Sequence, residues 1–411
     1  MIFYFLFVKF AKKITMNLFQ DTEIAFAGKS NGELKKAYRL FKTISSKYLT
    51  KLGQILAKSA MFVHFPIRWA VKPTIYSHFV GGETIEECAT TVRNLEKYNV
   101  KAILDYSVEG KKSEEDIEKA LSETLNSIRN AGNDKNIPFA VFKPTAFAAD
   151  EILEKASSGS ELSVTEKKEA GKFRQRIKTL CQAAFDSGVP ILIDAEDSFI
   201  QKFIDETVEE MMQIFNNDKA VVYNTWQMYR TDRLEFLKTS YEKAKTGNYF
   251  LGAKFVRGAY MEKERERAAK LNYQSPIFEN KNETDSAFNE ALRFSTEHID
   301  RISIFNGTHN EDSSLLLCQL MQERNIALDD SRIWFSQLYG MSDHISFNLA
   351  KAGYNVAKYV PYGPVKQVLP YLFRRAEENT SAGKQAGREL TLLTQEIKRR
   401  RNQKKSFRPI L

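Results

Sequence analysis

Beyond residue 100 the chain alternates two hydrophobic patterns: short apolar runs rich in β-branched residues, and longer stretches with apolar positions every three or four residues. The short runs predict eight strands: Ala102–Tyr106, Phe139–Lys143, Ile191–Asp194, Val221–Asn224, Gly252–Val256, Ile302–Phe305, Ile333–Ser336 and Val356–Val360. The longer pattern predicts helices between them, most clearly over Glu114–Ala131, Val164–Ser187 and Thr284–Ile299. Strands alternating with helices imply parallel βα units, and eight units over roughly 280 residues match a (β/α)8 barrel, whose usual size is about 250. An open doubly wound sheet is the alternative. The first hundred residues read as helices outside the barrel, with Thr84–Asn99 expected across its lower end. The expected division is an N-terminal helical segment (1–83), a catalytic barrel (84–385), and a C-terminal helix end with a basic tail (386–411).

Composition narrows this picture. At 411 residues and 43% hydrophobic content the chain can bury one large core, and no Pro-, Gly- or Ser-rich linker divides it. The net charge of +9 suggests an anionic partner, yet Lys398–Arg408 alone carries seven basic residues and no acid. The body is therefore expected to be near neutral, which argues against a nucleic-acid-binding core. Cys88, Cys181 and Cys318 lie far apart, with no CxxC pair, so neither disulfides nor a zinc site is expected, and a reducing compartment fits. The opening MIFYFLFVKF is too short to span a membrane, and its lysines follow the apolar run, the reverse of a signal peptide. Met16 is a second candidate start.

A barrel of this kind carries its site at the C-terminal ends of the strands. Those ends are polar as a set: Glu109, Lys143, Asp194 with Glu196, Asn224, Lys254 followed by Arg257-Gly258-Ala259-Tyr260, Thr308-His309-Asn310, Gln337 and Tyr359. The segment Tyr371–Asn379 is the most informative, because adjacent Arg374 and Arg375 present two planar donor forks suited to a carboxylate. Glu378 lies one turn on and can restrain either arginine. An exposed basic pair with a Glu partner is the other reading. Pro370 predicts a kink before the arginines or a helix that starts there. No GxGxxG follows a strand, no GxxxxGK[ST] loop occurs, and the histidines show no metal spacing.

Nine segments occur in series: LDYSVEG, VFKPTAF, LIDAEDS, VYNTWQMY, AKFVRGAYMEKER, GTHN, FSQLYGM, KYVPYGP and YLFRRAEEN. By these the chain resembles the proline dehydrogenases from about Thr84 to Asn379, and most closely the monofunctional ones. The resemblance implies a distorted barrel with FAD at its mouth and a helix after strand eight over the site. It implies hydride transfer from L-proline C5 to flavin N5, giving 1-pyrroline-5-carboxylate in the first step of proline catabolism. Lys143, Arg374 and Arg375 would bind the proline carboxylate, Tyr260, Leu338, Tyr359 and Tyr371 would wall the ring, and Glu109 would pair with Arg374 as a gate. Asp194 would orient the basic groups. Asn224, Lys254, Arg257, Gly258, Ala259, Thr308, His309, Asn310, Gln337 and Glu378 would join Asp194 around the flavin. Asn224 and Lys254 stand where the bifunctional bacterial enzymes have Gln and Arg. The implied acceptor is a membrane quinone, with the protein held peripherally on the bacterial inner membrane, or in mitochondria if eukaryotic. The basic tail would aid docking at about 1 kcal/mol per residue near anionic lipid. A pyrroline-5-carboxylate dehydrogenase is the implied downstream partner. The alternatives are a hydroxyproline dehydrogenase, or a catalytically silent barrel whose basic tail binds membrane or RNA.

Overall fold

The computed structural model describes residues 18–406 except 47, 54, 56–67, 108–112 and 382–383, and describes no side chains for 378–386 and 405–406. All eight strands form: β1 (Lys101–Tyr106), β2 (Ala140–Phe142), β3 (Ile191–Ile193), β4 (Val222–Gln227), β5 (Leu251–Val256), β6 (Ile302–Gly307), β7 (Ile333–Leu338) and β8 (Val356–Tyr362). Their order is β1-β8-β7-β6-β5-β4-β3-β2, and every ladder is parallel. β1 and β2 pack side by side without a ladder among the described residues, so the (β/α)8 barrel is nearly closed and distorted at that seam. The strands read as continuous apolar runs because both faces are buried. Ile103, Val141, Leu192, Tyr223, Phe305, Ala357 and Tyr359 fill the interior, while their neighbours Leu104, Val222, Ile304, Phe335 and Val360 face the helices.

Before the barrel come α1 (Thr22–Ala25), α2 (Asn31–Ile44), a helical segment over 68–79, and α3 (Ile85–Glu96). The outer layer then comprises α4 (Glu114–Asn133), α5 (Asp150–Ser158), α6 (Val164–Asp186), α7 (Ser198–Phe215), α8 (Arg233–Thr246), α9 (Met261–Leu271), α10 (Lys281–Glu297), α11 (Glu311–Glu323) and α12 (Asp343–Ala352). After β8 follow α13 (Val365–Ser381) and α14 (Lys384–Ser406). Reciprocal caps fix several helix starts: Ser30 with Glu33, Ser113 with Asp116, Ser163 with Glu166, and Asn280 with Glu283. Each cap contributes about 1 kcal/mol. Cys88, Cys181 and Cys318 are free and buried.

Three expectations are corrected. α3 does not cross the lower end of the barrel. The chain before it meets the C-terminal end of β8, where Gly81 N–H donates to Pro361 O at 2.9 Å, and α3 then runs down to Val100 at the foot of β1. Pro370 does not start a helix, since α13 runs through it from Val365. The basic run is helical rather than a tail as far as Ser406, where α14 ends; that helix buries Leu392 and Leu393 and leaves Lys398, Arg401 and Lys404 exposed. Arg399 and Arg400 both bind Glu396, which is fully buried, and Arg400 also donates to the carbonyls of Phe26 and Lys29.

The two ends of the chain share one core. Phe26, Leu34, Phe41, Ile44, Tyr76 and Phe79 pack with Val368, Leu369, Leu372, Leu392 and Leu393, so α2, the 68–79 segment, α13 and α14 form a helical cap. Each large apolar side chain buried there stabilises the cap by about 1.5–3 kcal/mol. Glu311 ties it to the barrel layer, accepting from Arg388 of α14 at 2.7 Å and from His344 of α12 at 3.0 Å. Burial would raise the Glu311 carboxyl, but the hydrogen bonds from His344 and Arg388 outweigh it and hold the group down at about 2. A depressed carboxyl stabilises the fold above its ordinary value of 4.5 and loses that contribution as pH falls toward 2. Glu311→Gln should therefore cost about 1–3 kcal/mol in urea unfolding at pH 6, with the gap to the parent protein closing as pH falls below 4.5.

Candidate active site

Three strands meet in one polar contact at the barrel mouth. Asp194 directly follows β3, and its Oδ1 accepts from Lys254 Nζ of β5 and from the Tyr359 hydroxyl of β8 at 2.9 Å. Lys254 also donates to Tyr359 Oη at 2.8 Å and lies 4.4 Å from that ring's centre. Burial, with the Asp194 charge adding to it, pushes the Tyr359 phenol well above its usual value, so it remains a neutral donor. Alternation along β5 and β8 puts Lys254 and Tyr359 inside, one residue away from neighbours that face the helices.

A second pair spans the open seam. Lys143, just past β2, donates to both carboxylate oxygens of Asp105 on β1, at 3.0 and 3.2 Å. Burial works against the Lys143 ammonium, yet Asp105 and Asp194 overcome it and raise the group, so it stays charged. Glu196 accepts from Thr145 Oγ1 at 2.7 Å and from the Tyr260 hydroxyl at 2.9 Å, and burial raises its carboxyl. Above these lies α13. That helix carries Arg374 and Arg375, and buried Arg375 lies 5.4 Å from the centre of the Tyr371 ring. Tyr371 shares the helical-cap core and Tyr359 the barrel interior, and Leu338 packs against both. Lys143, Tyr260, Leu338, Tyr359, Tyr371, Arg374 and Arg375 are thus gathered at one mouth. Lys143, Lys254, Asp105, Asp194 and Glu196 form the charged floor of this mouth, and Arg374 and Arg375 lie on the helix that follows β8.

The wall at β7 is pinned from behind. Lys358 of β8, on the outward face, donates to the carbonyls of Leu338 and Met341 and pairs with Asp343 at 2.9 Å, and Asp343 also binds Lys29 at 2.8 Å. Ser342 N–H donates to Glu389 of α14, its hydroxyl meets His309 Nδ1 at 2.9 Å, and His78 Nε2 donates to Gly340 O at 2.9 Å. Gly340 has φ +78° and a Cβ there would lie 2.2 Å from His78 O, so only glycine permits this close approach.

The residues expected around the flavin divide by strand parity. Asn224 faces outward and donates to Asp205 of α7 at 2.9 Å, and Gln337 faces outward and is used up by Thr308 O and Ser346 Oγ. Neither reaches the mouth. Arg257 and Thr308 bond each other, and all three Arg257 nitrogens already donate within the protein, the others to Asp285 and Ser313. Asn310 caps α11. These three brace the β5 and β6 ends. Gly258, at φ +126°, packs against Tyr229, with Ala259 next to it. His309 is engaged only through Nδ1 among the described hydrogen bonds. Glu109 and the Glu378 side chain lie outside the described residues. Four inward polar residues were missed: Asp105, Thr225, Gln227 and Ser336. Counting by twos from the apolar interior residues Ile103, Tyr223 and Trp334 would have found them.

The profile of the proline dehydrogenase family matches residues 88–388. The chain is 36% identical over 326 residues to carbapenem antibiotics biosynthesis protein CarD of Pectobacterium carotovorum, covering 79% of this chain and 84% of that protein. It is 34% identical to mitochondrial proline dehydrogenase 2 of Arabidopsis thaliana, covering 80% and 78%, and 32% identical to mitochondrial proline dehydrogenase 1 of Dictyostelium discoideum, covering 92% and 74%. Among solved structures it superposes with a TM-score of 0.69 and 20% identity on proline utilization A from Bdellovibrio bacteriovorus, covering 93% of this chain and 39% of that one, a likeness of fold. A silent barrel is thereby set aside: the chain belongs to the proline dehydrogenase family, oxidoreductases that act on proline.

Proposed function

We propose that the chain oxidises L-proline to 1-pyrroline-5-carboxylate with FAD at the barrel mouth and passes the electrons to a membrane quinone. The observation that carries this reading is the set of cations above the Asp194–Lys254–Tyr359 contact. Arg374 and Arg375 carry planar donor forks and Lys143 a charged ammonium suited to a carboxylate, and a bound amino acid held at one end brings its ring against the wall of Leu338, Tyr359 and Tyr371. FAD, when bound, supplies the acceptor for the hydride leaving proline C5. Inward-facing Gln227 Oε1 and Ser336 Oγ are buried without a partner among the described residues, which suits the polar edge of such a ring. Lys254 and His309 would hold the cofactor with them. Tyr359, fixed by Asp194 and Lys254, leaves little room for a 4-hydroxyl, which favours proline over hydroxyproline. Glu196, biased toward its neutral form, keeps the Tyr260 hydroxyl oriented.

Anaerobic addition of L-proline to the purified protein should bleach a flavin absorbance near 450 nm, an approximate value typical of oxidised flavins. A colourless protein, or a spectrum indifferent to proline, sinks the proposal. Arg375→Met should raise the KM for proline by about 100-fold, on the order of 3 kcal/mol for a lost charged hydrogen bond, with flavin content close to the parent. An unchanged KM would remove Arg375 from the carboxylate grip. Gln227→Leu should weaken flavin retention by about tenfold, whereas Asn224→Ala should leave it intact and lower only thermal stability. The reverse result would restore Asn224 to the flavin site.

A further inference from the structure

Two buried aspartates at the barrel mouth each hold one inward cation: Asp194 takes Lys254, and Asp105 takes Lys143. Asp105 lies two residues after inward Ile103, so β1 directs its side chain into the barrel. Both its oxygens accept from Lys143 Nζ, at 3.2 and 3.0 Å, and Ser107 Oγ donates to Oδ2 at 2.6 Å. Ser107 N–H donates in turn to Tyr362 O at 3.1 Å, and β1 is laddered to β8 along its length, so Asp105 belongs to the rigid side of the seam. The Asp105 side chain is 5% exposed and that of Lys143 25%, so the cation and not the acid is what a ligand can reach.

Lys143 stands on the other side, just past the three-residue strand β2. At the foot of the seam Ala102 N–H donates to Asn136 O at 2.9 Å, but at the mouth no backbone hydrogen bond crosses it among the described residues. The natural neighbour of Lys143 is a different acid. Counting on from the Phe142–Ile193 pair, Lys143 stands level with Asp194 on the same inward face, and Asp194 N–H donates to Phe142 O at 3.0 Å. The Lys143 ammonium nevertheless crosses the seam to Asp105, which leaves Asp194 to Lys254 and Tyr359. A lysine ammonium on a flexible four-carbon stem has no fixed direction of its own, so its partner decides where it points.

We propose that Asp105 is a positioning residue of the reaction: it holds Lys143 across the open seam, where the ammonium meets the substrate carboxylate, and keeps it off Asp194. The inference rests on the proposed reading of Lys143 as a carboxylate donor. Charge alone would give Asp105 the opposite effect, because a carboxylate beside an anion site repels the anion. A purely structural tie would change stability and leave substrate affinity as it was. The three roles therefore differ in sign.

Steady-state kinetics on proline with a soluble dye separate them, with flavin content and melting temperature read on every protein. Asp105→Asn should raise KM about tenfold or more and leave kcat within about threefold. In a Lys143→Met background the same change should leave KM within about twofold or lower it, since there it removes only a negative charge. Ser107→Ala, which takes one bond from Asp105 and no charge, should raise KM about threefold, again only while Lys143 is present. It carries the test if Asp105→Asn does not fold. A lowered or unchanged KM in Asp105→Asn, or an equal rise in both backgrounds, would overturn the proposal. If Lys143→Met by itself leaves KM unchanged, or the parent does not oxidise proline, the proposed carboxylate grip falls and this role with it. If Lys143→Met raises KM and Asp105→Asn does not, only the role of Asp105 falls.

Discussion

The carboxylate of Asp194 holds the mouth together. It takes Lys254 from β5 and Tyr359 from β8, so one side chain after β3 joins strands on separate sides of the barrel. A charge taken from water into a protein interior costs several kcal/mol unless it is paired and hydrogen-bonded, and here each partner satisfies the others. Removing Asp194 or Lys254 would leave the other charge without its ion-pair partner, at a cost of up to about 3–5 kcal/mol. The same arrangement explains why the seam between β1 and β2 is tolerable. Where no backbone ladder exists, the Asp105–Lys143 pair links the two strands through side chains.

Much of this was legible in the sequence, because a parallel barrel imposes one rule on every strand. All eight strands were visible as apolar runs, and the residues proposed to grip the carboxylate and wall the ring stood at their ends or on the following helix. What failed was parity. Reading the fourth run as ending at Asn224 made that residue a strand end, whereas β4 continues to Gln227 and turns Asn224 toward α7. Gln337 failed in the same way, one residue from inward Leu338. Asp105 was hidden inside a run taken as apolar. Arg257 illustrates another limit: Thr308, Asp285 and Ser313 each accept one of its five N–H donors, and only the fold brings these partners near.

The chain ends were misread for a related reason. A charge run counts residues without knowing which face each occupies. Glu396 sits three and four residues before Arg399 and Arg400, so on a helix it meets both, and two members of an apparent basic tail are drawn onto a buried carboxylate that also accepts from Thr22. The first hundred residues were treated as peripheral, yet Lys29 and His78 help fix the β7–α12 loop that carries Leu338.

The loop behind Leu338 is held by Lys29 and His78 from the N-terminal helices and by Glu389 from α14, so the wall of the site and the helical layer are parts of one packed cap. Phe41 of α2 packs edge-on against His78 and Phe79, so α2 supports the same histidine that donates to Gly340 O behind Leu338. Close-packed side chains of this kind leave few voids, and the β7 end is held on that side by the helices that precede the barrel.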